Sequence, residues 1–184
     1  MKGAVALCIP RAYYAGKMTS VYADGSCVPR DGAMKCGMGI YYPDHPDRSE
    51  AVSLPRACST NNVAELCAIL YVMCTVMDST DLVIYTDSMY AIQCLTTWIV
   101  SWESNGWRTS NGGHVRNTMI LKDMIKIKRA RDRAGSTTEL VHVKGHSGNP
   151  GNEMADILAR RGSETACASY RLEMLIRSGV SFPH

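Results

Sequence analysis

Apolar and polar positions alternate in short runs over the first third of the chain, at Ser20 to Ala23, Cys36 to Tyr42 and Ser49 to Leu54. Turns rich in Gly, Pro and Asp, including Tyr-Pro-Asp-His-Pro-Asp, separate these runs and predict three antiparallel strands in a meander. The period then changes. From Asn61 to Met77 the apolar residues Leu66, Ile69, Leu70, Met73, Val76 and Met77 recur at helical spacing, with Ser59 or Thr60 available as the N-cap. Asp81 to Thr86 reads as a buried strand, and Ser88 to Trp102 as a helix with Ile92, Leu95 and Ile99 on one face. Breakers at Asn105-Gly106 and Asn111-Gly112-Gly113 precede a long helix, Val115 to Arg133, which aligns Ile120, Met124 and Ile127. Glu139 to Val143 predicts a fifth strand, and Gly145 to Gly151 a flexible loop. Asn152 to Arg161 predicts a helix that turns Met154, Ile157 and Leu158 inward. This order points to an α/β fold: a mixed five-stranded sheet with three antiparallel strands first and helices packed on the sheet.

The length of 184 residues and a hydrophobic share of 46% suit one domain with a real core. We expect an N-terminal extension over 1–19, a domain over 20–161, and a tail over 162–184 with a short helix around Leu172 to Ile176. Lys and Arg outnumber Asp and Glu by 20 to 17, too small a margin to identify a nucleic-acid binder. Their distribution says more: Lys122, Lys126, Lys128, Arg129, Arg131 and Arg133 form a run that either tracks phosphates or solvates a helix end. The eight cysteines are scattered through core-like segments, so we expect inert thiols in a reducing, intracellular setting, the cytoplasm or nucleus. The apolar stretch Ala4 to Ile9 is short for a signal h-region and far short of a membrane span, so it supports no targeting assignment, and no membrane association is expected.

Four acids stand in separate contexts: Asp24 in V-Y-A-D-G-S, Glu65 in N-N-V-A-E-L, Asp87 in V-I-Y-T-D-S and Asp156 in G-N-E-M-A-D. A lone acid at a strand end is ordinarily a cap or a turn former. Four acids at strand ends and helix starts suggest a metal site at the sheet rim, because clustered carboxylates repel one another without a cation. Oxygen ligands favour Mg²⁺, with Mn²⁺ as a substitute.

The segments Y-A-D-G-S, T-N-N-x-A-E-L, Y-T-D-S-M-Y, W-x-x-x-W-x-x-N-G-W and H-V-K-G-H-S-G-x-x-G-N-E-x-A-D resemble the type 1 ribonuclease H family in order and approximate spacing, over residues 20–161. The resemblance implies the ribonuclease H-like fold and hydrolysis of the RNA strand of an RNA–DNA hybrid by two metal ions, leaving 5′-phosphate and 3′-hydroxyl ends. It makes Asp24, Glu65, Asp87 and Asp156 the metal-binding acids, with Asp24 bridging both ions, and His146 a mobile-loop histidine that assists proton transfer or product release. It assigns Gly25, Ser26, Cys27, Asn61 and Asn62 to the RNA strand, read through its 2′-hydroxyls. Thr60, Tyr90, Trp98, Ser110 and Asn117 fall to the DNA strand, with Trp98 packing on a deoxyribose and Trp102 and Trp107 serving as packing. A monomer is expected, and with about 20 residues before the first core strand no separate hybrid-binding domain is expected there.

Two departures stand out. Cys58 occupies the place where cellular members commonly carry an arginine of the DNA phosphate pocket, with Arg56 nearby, and Glu103-Ser104-Asn105-Gly106 lacks the lysines of many relatives' basic protrusion. Hybrid binding is therefore expected to be salt-sensitive and to lean on the run from Lys122 to Arg133. A non-cleaving hybrid-binding module on the same fold is the alternative, and the presence of all four acids weighs against it. A DNA-cutting integrase or resolvase relative would not need the T-N-N, tryptophan and G-H-S-G segments together.

Overall fold

The sheet is assembled in the order β3-β2-β1-β4-β5. The computed structural model describes residues 18–55, 57–76 and 78–165. In it β1 (Thr19–Arg30), β2 (Ala33–Tyr41) and β3 (Glu50–Ser53) form an antiparallel half, and β4 (Leu82–Thr86) and β5 (Thr138–His142) add parallel to β1. This is the mixed five-stranded α/β sheet expected from the element order. β1 runs well past Ala23, where the sequence pattern stops. The two-residue turn Asp31-Gly32, with φ of 53° and 74°, matches the twist of paired strands and carries the ladder from Asp24↔Gly39 to Arg30↔Ala33 in spite of Gly25 and Pro29.

Helix α1 (Asn61–Thr75) starts at Thr60, whose hydroxyl accepts the Val63 N–H at 3.3 Å. It is buried nearly all round because it lies between the sheet and α4 (Thr118–Arg133). The helix expected from Ser88 to Trp102 is interrupted: α2 (Met89–Gln93) and α3 (Ile99–Ser104) flank one wide π turn over Cys94–Trp98. α4 begins later than Val115 because Asn117 is left-handed, at φ 59°. Its buried face holds Ile120, Leu121, Met124 and Ile125, while Ile127 is only partly covered.

Helix α5 (Pro150–Glu164) includes residues 162–164 of the expected tail and corrects the face read from periodicity. Leu158 is buried, but Met154 and Ile157 are 39% and 49% exposed. The inward face is made of Gly151, Ala155, Ala159 and Gly162, because the helix lies almost backbone to backbone on β2. A Cβ on Gly39 would fall 2.0 Å from the Ala155 carbonyl oxygen, and one on Gly37 would fall 2.2 Å from the Ser163 nitrogen. Smallness, and not hydrophobicity, selects that face.

Arg131 leaves the expected basic run. It is fully buried and donates from Nε to Thr138 Oγ1 at 2.9 Å, from Nη1 to the Val76 carbonyl at 2.9 Å, and from Nη2 to the Thr80 carbonyl at 2.6 Å. It therefore ties α4 to β5 and to the loop before β4. Two cysteines also depart from expectation: Cys27 and Cys36, opposed across β1 and β2, are joined as a disulfide, whereas Cys58, Cys67, Cys74 and Cys94 are free. Adjacent antiparallel strands set these two side chains face to face, a pairing that spacing in sequence does not reveal. No helix among the described residues is long and apolar enough to cross a membrane. Arg56, most of the 1–19 extension and the helix expected at Leu172 to Ile176 lie outside the described residues.

The contact at Gly39 yields a stability prediction. Gly39→Ala must push α5 off the sheet, and overpacking of this kind costs about 1–3 kcal/mol or more. The urea midpoint of the variant is expected to fall clearly below that of the wild type, and equal midpoints would refute the backbone contact.

Candidate active site

The parallel ladder between β1 and β4 ends at Tyr22↔Tyr85, and this register sets the site. Two residues on, Asp24 and Asp87 come level on one face, because side chains alternate along a strand. That face is the one α5 covers: the Tyr22 and Tyr85 rings stack at 4.7 Å, and Gly151 of α5 lies against the Tyr22 ring. Asp24 is thus in the middle of β1, opposite Gly39, and not at a strand end as its flanking residues suggested. It still reaches a sheet opening, since β1 parts from β4 at this level.

Asp156 arrives from α5. Glu65 comes from α1, which approaches the other face of β1 so closely that a Cβ on Gly25 would lie 2.2 Å from the Glu65 nitrogen. Asp24 is 7% exposed and accepts the Gly25 N–H at 2.8 Å. Burial above all, and then the charges of Asp87, Asp156 and Glu65, push its carboxyl up to about 7, with the Gly25 N–H opposing. Burial also raises the Glu65 carboxyl; the Ser88 hydroxyl opposes this and the Asp87 charge adds to it. The four predicted acids therefore share one electrostatic neighbourhood.

Each acid is nonetheless held by a donor of its own. Ser88, the N-cap of α2, donates its hydroxyl to Glu65 Oε2. Asn152 donates Nδ2 to Asp87 Oδ2 at 3.3 Å, and Arg160 donates Nε to Asp156 Oδ1 at 3.0 Å and pairs with Oδ2 at 2.8 Å. In this arrangement, among the described residues, no three Asp, Glu, His or Cys side chains are grouped so as to hold one metal ion. The donor set still suits a hard divalent cation. It is all oxygen, and its buried carboxyl is raised by burial first and then by negative neighbours whose charge a cation would offset.

Two positioning residues escaped the sequence reading. Ser88 and Asn152 lie inside the quoted motifs, beside Asp87 and one turn before Asp156, and that adjacency was the available signal. Asn152 is 2% exposed, and its Oδ1 has no hydrogen-bond partner among the described residues. The loop after β5 runs against Asp87: a Cβ on Gly145 would sit 2.5 Å from Asp87 Oδ2. His146 is exposed on this loop at φ 49°, and Gly148 follows at φ 80°.

The predicted substrate residues divide between two places. Gly25, Ser26 and Cys27 line β1 beside Asp24, and Asn61 Oδ1 accepts the Cys27 N–H at 2.8 Å. Thr60, Asn62, Tyr90, Trp98, Ser110 and Asn117 line a groove of about 850 Å³. Asn117 Nδ2 donates to the Tyr90 hydroxyl at 3.0 Å, and the Tyr90 ring meets Trp98 edge-on at 6.4 Å. Trp98 is 36% exposed, while Trp102 and Trp107 pack against the core behind it. Arg108, His114 and Arg116 also line the groove, basic groups that no motif singled out. Cys58 is fully buried and faces the core, so it does not take the place of a phosphate-gripping arginine.

The sequence profile of the RNase H family matches residues 16–164. Ribonuclease H1 of Mus musculus is 36% identical over 155 residues, which are 82% of this chain and 52% of that protein; the chain spans about half the length of that relative. Ribonuclease H of Aeromonas salmonicida is 37% identical over 144 residues, 78% of this chain and 88% of that protein. Among solved structures, the foamy viral protease-reverse transcriptase in complex with RNA/DNA hybrid superposes with a TM-score of 0.67 at 21% identity, covering 90% of this chain and 23% of that one. At that identity the likeness concerns the fold.

The raised Asp24 carboxyl yields a pH prediction for metal-free protein. A folded-state value near 7 against an ordinary 3.8 means that the folded state binds the extra proton, so stability from this group falls as pH rises from about 4 to about 7 and is level above. Asp24→Asn removes that loss, by about 4 kcal/mol at most at pH 8. In EDTA the variant is expected to melt higher than wild type at pH 8, with the gap closing toward pH 4. A gap that does not change with pH would contradict the assignment.

Proposed function

The chain belongs to the RNase H family, and from that premise we propose that it is a ribonuclease H: a metal-dependent endonuclease that hydrolyses the RNA strand of RNA–DNA hybrids and acts as a monomer. Support comes foremost from Asp24, a carboxyl raised to about 7 by its burial first and then by the charges of three other acids that separate parts of the fold bring to it. Such an arrangement is costly in the folded protein, and a divalent cation turns the cost into binding energy. The groove with Tyr90 and Trp98 beside Asn117 adds a surface for a second strand.

In this reading Asp24, Glu65, Asp87 and Asp156 hold two Mg²⁺ ions, for which Mn²⁺ can substitute. When bound, the ions supply Lewis-acid stabilisation of the charge that develops on the scissile phosphate. The remaining work belongs to the chain. Ser88 and Asn152 orient Glu65 and Asp87 through hydrogen bonds, and Arg160 would yield oxygens of Asp156 to the ions. Water adds at phosphorus and the bond to the 3′ oxygen breaks, leaving 5′-phosphate and 3′-hydroxyl ends. His146, on its glycine-flanked loop, assists the proton transfer that leaves the 3′ oxygen as a hydroxyl, or the release of product. Gly25, Ser26, Cys27, Asn61 and Asn62 read the RNA strand through its 2′-hydroxyls. Thr60, Tyr90, Trp98, Ser110 and Asn117 take the DNA strand, where Trp98 packs on a deoxyribose that a 2′-hydroxyl would obstruct.

A labelled RNA–DNA hybrid is expected to be cut with Mg²⁺ and left intact in EDTA, with matched double-stranded DNA and RNA uncut; an intact hybrid in Mg²⁺ would overturn the proposal and favour a binding module. Asp24→Asn is expected to lower cleavage by about 10³-fold or more with the fold retained, since it removes a shared ligand at nearly constant size. Wild-type rates in that variant would sink the metal assignment. For His146→Ala the expected loss is smaller, about a hundredfold.

A further inference from the structure

Four of the six cations in the basic run fall on one exposed face of α4. Lys122, Lys126, Arg129 and Arg133 are spaced by four, three and four residues, so they form a single stripe along the helix. The other two are removed from it: Lys128 is bonded to Asp132 at 3.1 Å on another face, and Arg131 is buried. The stripe borders a shallow groove of about 370 Å³ floored by Ile125 and Trp107, with Lys122 Nζ 5.1 Å above the Trp107 ring. Among the described residues Glu103 is the only acid that lines it, and it pairs with Arg129 at 2.7 Å. Three cations therefore remain to meet a polyanion.

The position of the stripe identifies the polyanion. Asn117, which starts α4, lines the large groove beside the active site, and so does Trp102; the next residue, Glu103, and Trp107 belong to the basic groove. The two grooves share the α3–α4 junction, and the stripe leads away from it along the helix. From Lys122 to Arg133 it extends about 16 Å at 1.5 Å per residue, enough to face on the order of five successive phosphates of one strand.

We propose that this face of α4 grips the sugar–phosphate backbone of the bound duplex beyond the catalytic groove, so that hybrids longer than the groove gain affinity from a second, sequence-independent contact. The inference rests on the hybrid as substrate. It accounts for how a chain without lysines between Trp102 and Trp107 can still hold a polyanion: the charge sits one helix further on, against the same tryptophan.

The test compares wild type with K122Q/K126Q/R133Q, which leaves the Arg129–Glu103 pair in place and alters only exposed side chains, none of them in the site described above. Fluorescence anisotropy in EDTA measures binding across a salt titration to a hybrid of about 8 base pairs, a hybrid of about 24, and a DNA duplex of about 24. On the long hybrid the variant is expected to bind tenfold or more weakly at about 0.1 M salt, with a log–log salt slope shallower by about 2–3, close to 0.9 for each phosphate no longer neutralised. The short hybrid is expected to bind both proteins alike, and K122R/K126R/R133K is expected to restore the long-hybrid slope. Equal slopes on the long hybrid overturn the proposal and point to an acidic protein as occupant. Equal losses on both hybrid lengths overturn it by placing the charges inside the catalytic groove. Failure of the substrate reading looks different: both hybrids bind poorly, yet the DNA duplex still separates wild type from variant. Absence of binding to all three duplexes refutes both.

Discussion

Two helices lie against opposite faces of β1 and β2 with no room for a Cβ between them. α5 closes on Gly37 and Gly39, and α1 on Gly25, with would-be Cβ contacts of 2.0–2.2 Å to helix backbone atoms. Every other feature of the site follows from that approach. It brings the start of α1, and with it Glu65, around the edge of β1, and it lays the second turn of α5, and with it Asp156, over the place where β1 and β4 part. Interiors are packed like solids, so a helix held this closely cannot slide to ease repulsion among its acids.

That rigidity sets the electrostatics. Four carboxylates would ordinarily turn outward to solvent; here the backbone contacts fix their Cα positions and leave only side-chain torsions to respond. Each acid is then met by a separate donor, the Gly25 N–H, Ser88, Asn152 or Arg160. Asp24, with the least exposure, carries the largest penalty as a raised pKa. The site is thus preorganised at the level of the backbone and adjustable at the level of the rotamer. The buried Oδ1 of Asn152, unpartnered among the described residues, belongs to the same picture, a polar atom held in place by the helix that delivers Asp156.

The surface proposed for the hybrid is built differently. Beside Asp24 the surface is strand backbone and small residues; across α1 it becomes an aromatic series, Tyr90, Trp98, Trp102 and Trp107, with ring spacings of 5.5–6.4 Å. Trp107 at the end of that series supports Lys122, so the tryptophans join the groove near the acids to the basic face of α4. Cys58 lies in the core, and the guanidinium groups of Arg108 and Arg116 line the groove together with His114.

Much of this was legible along the chain. The ordered motifs identified all four acids, helical spacing located α1 and α4, and the Thr86-Asp87-Ser88 joint marked the strand-to-helix passage. Periodicity reports which residues prefer burial, and motifs report which chemistry is carried; neither contains a distance between segments. Hence the sequence could not place Asp24 in mid-strand, which depends on how far the Asp31-Gly32 hairpin extends its ladder. Nor could it join Cys27 to Cys36, which depends on register. It turned α5 by its large apolar residues, when packing against Gly37 and Gly39 turned it by its small ones. It counted Arg131 among the surface cations, although carbonyls brought from Val76 and Thr80 by the folded chain hold it in the core. The sequence by itself determined the family, the order of the elements and the four acids that the fold brings together, because these are local properties. Tertiary structure alone decided which acid is buried, which face of each helix is covered and which cations remain outside, because those depend on contacts between residues far apart in the chain.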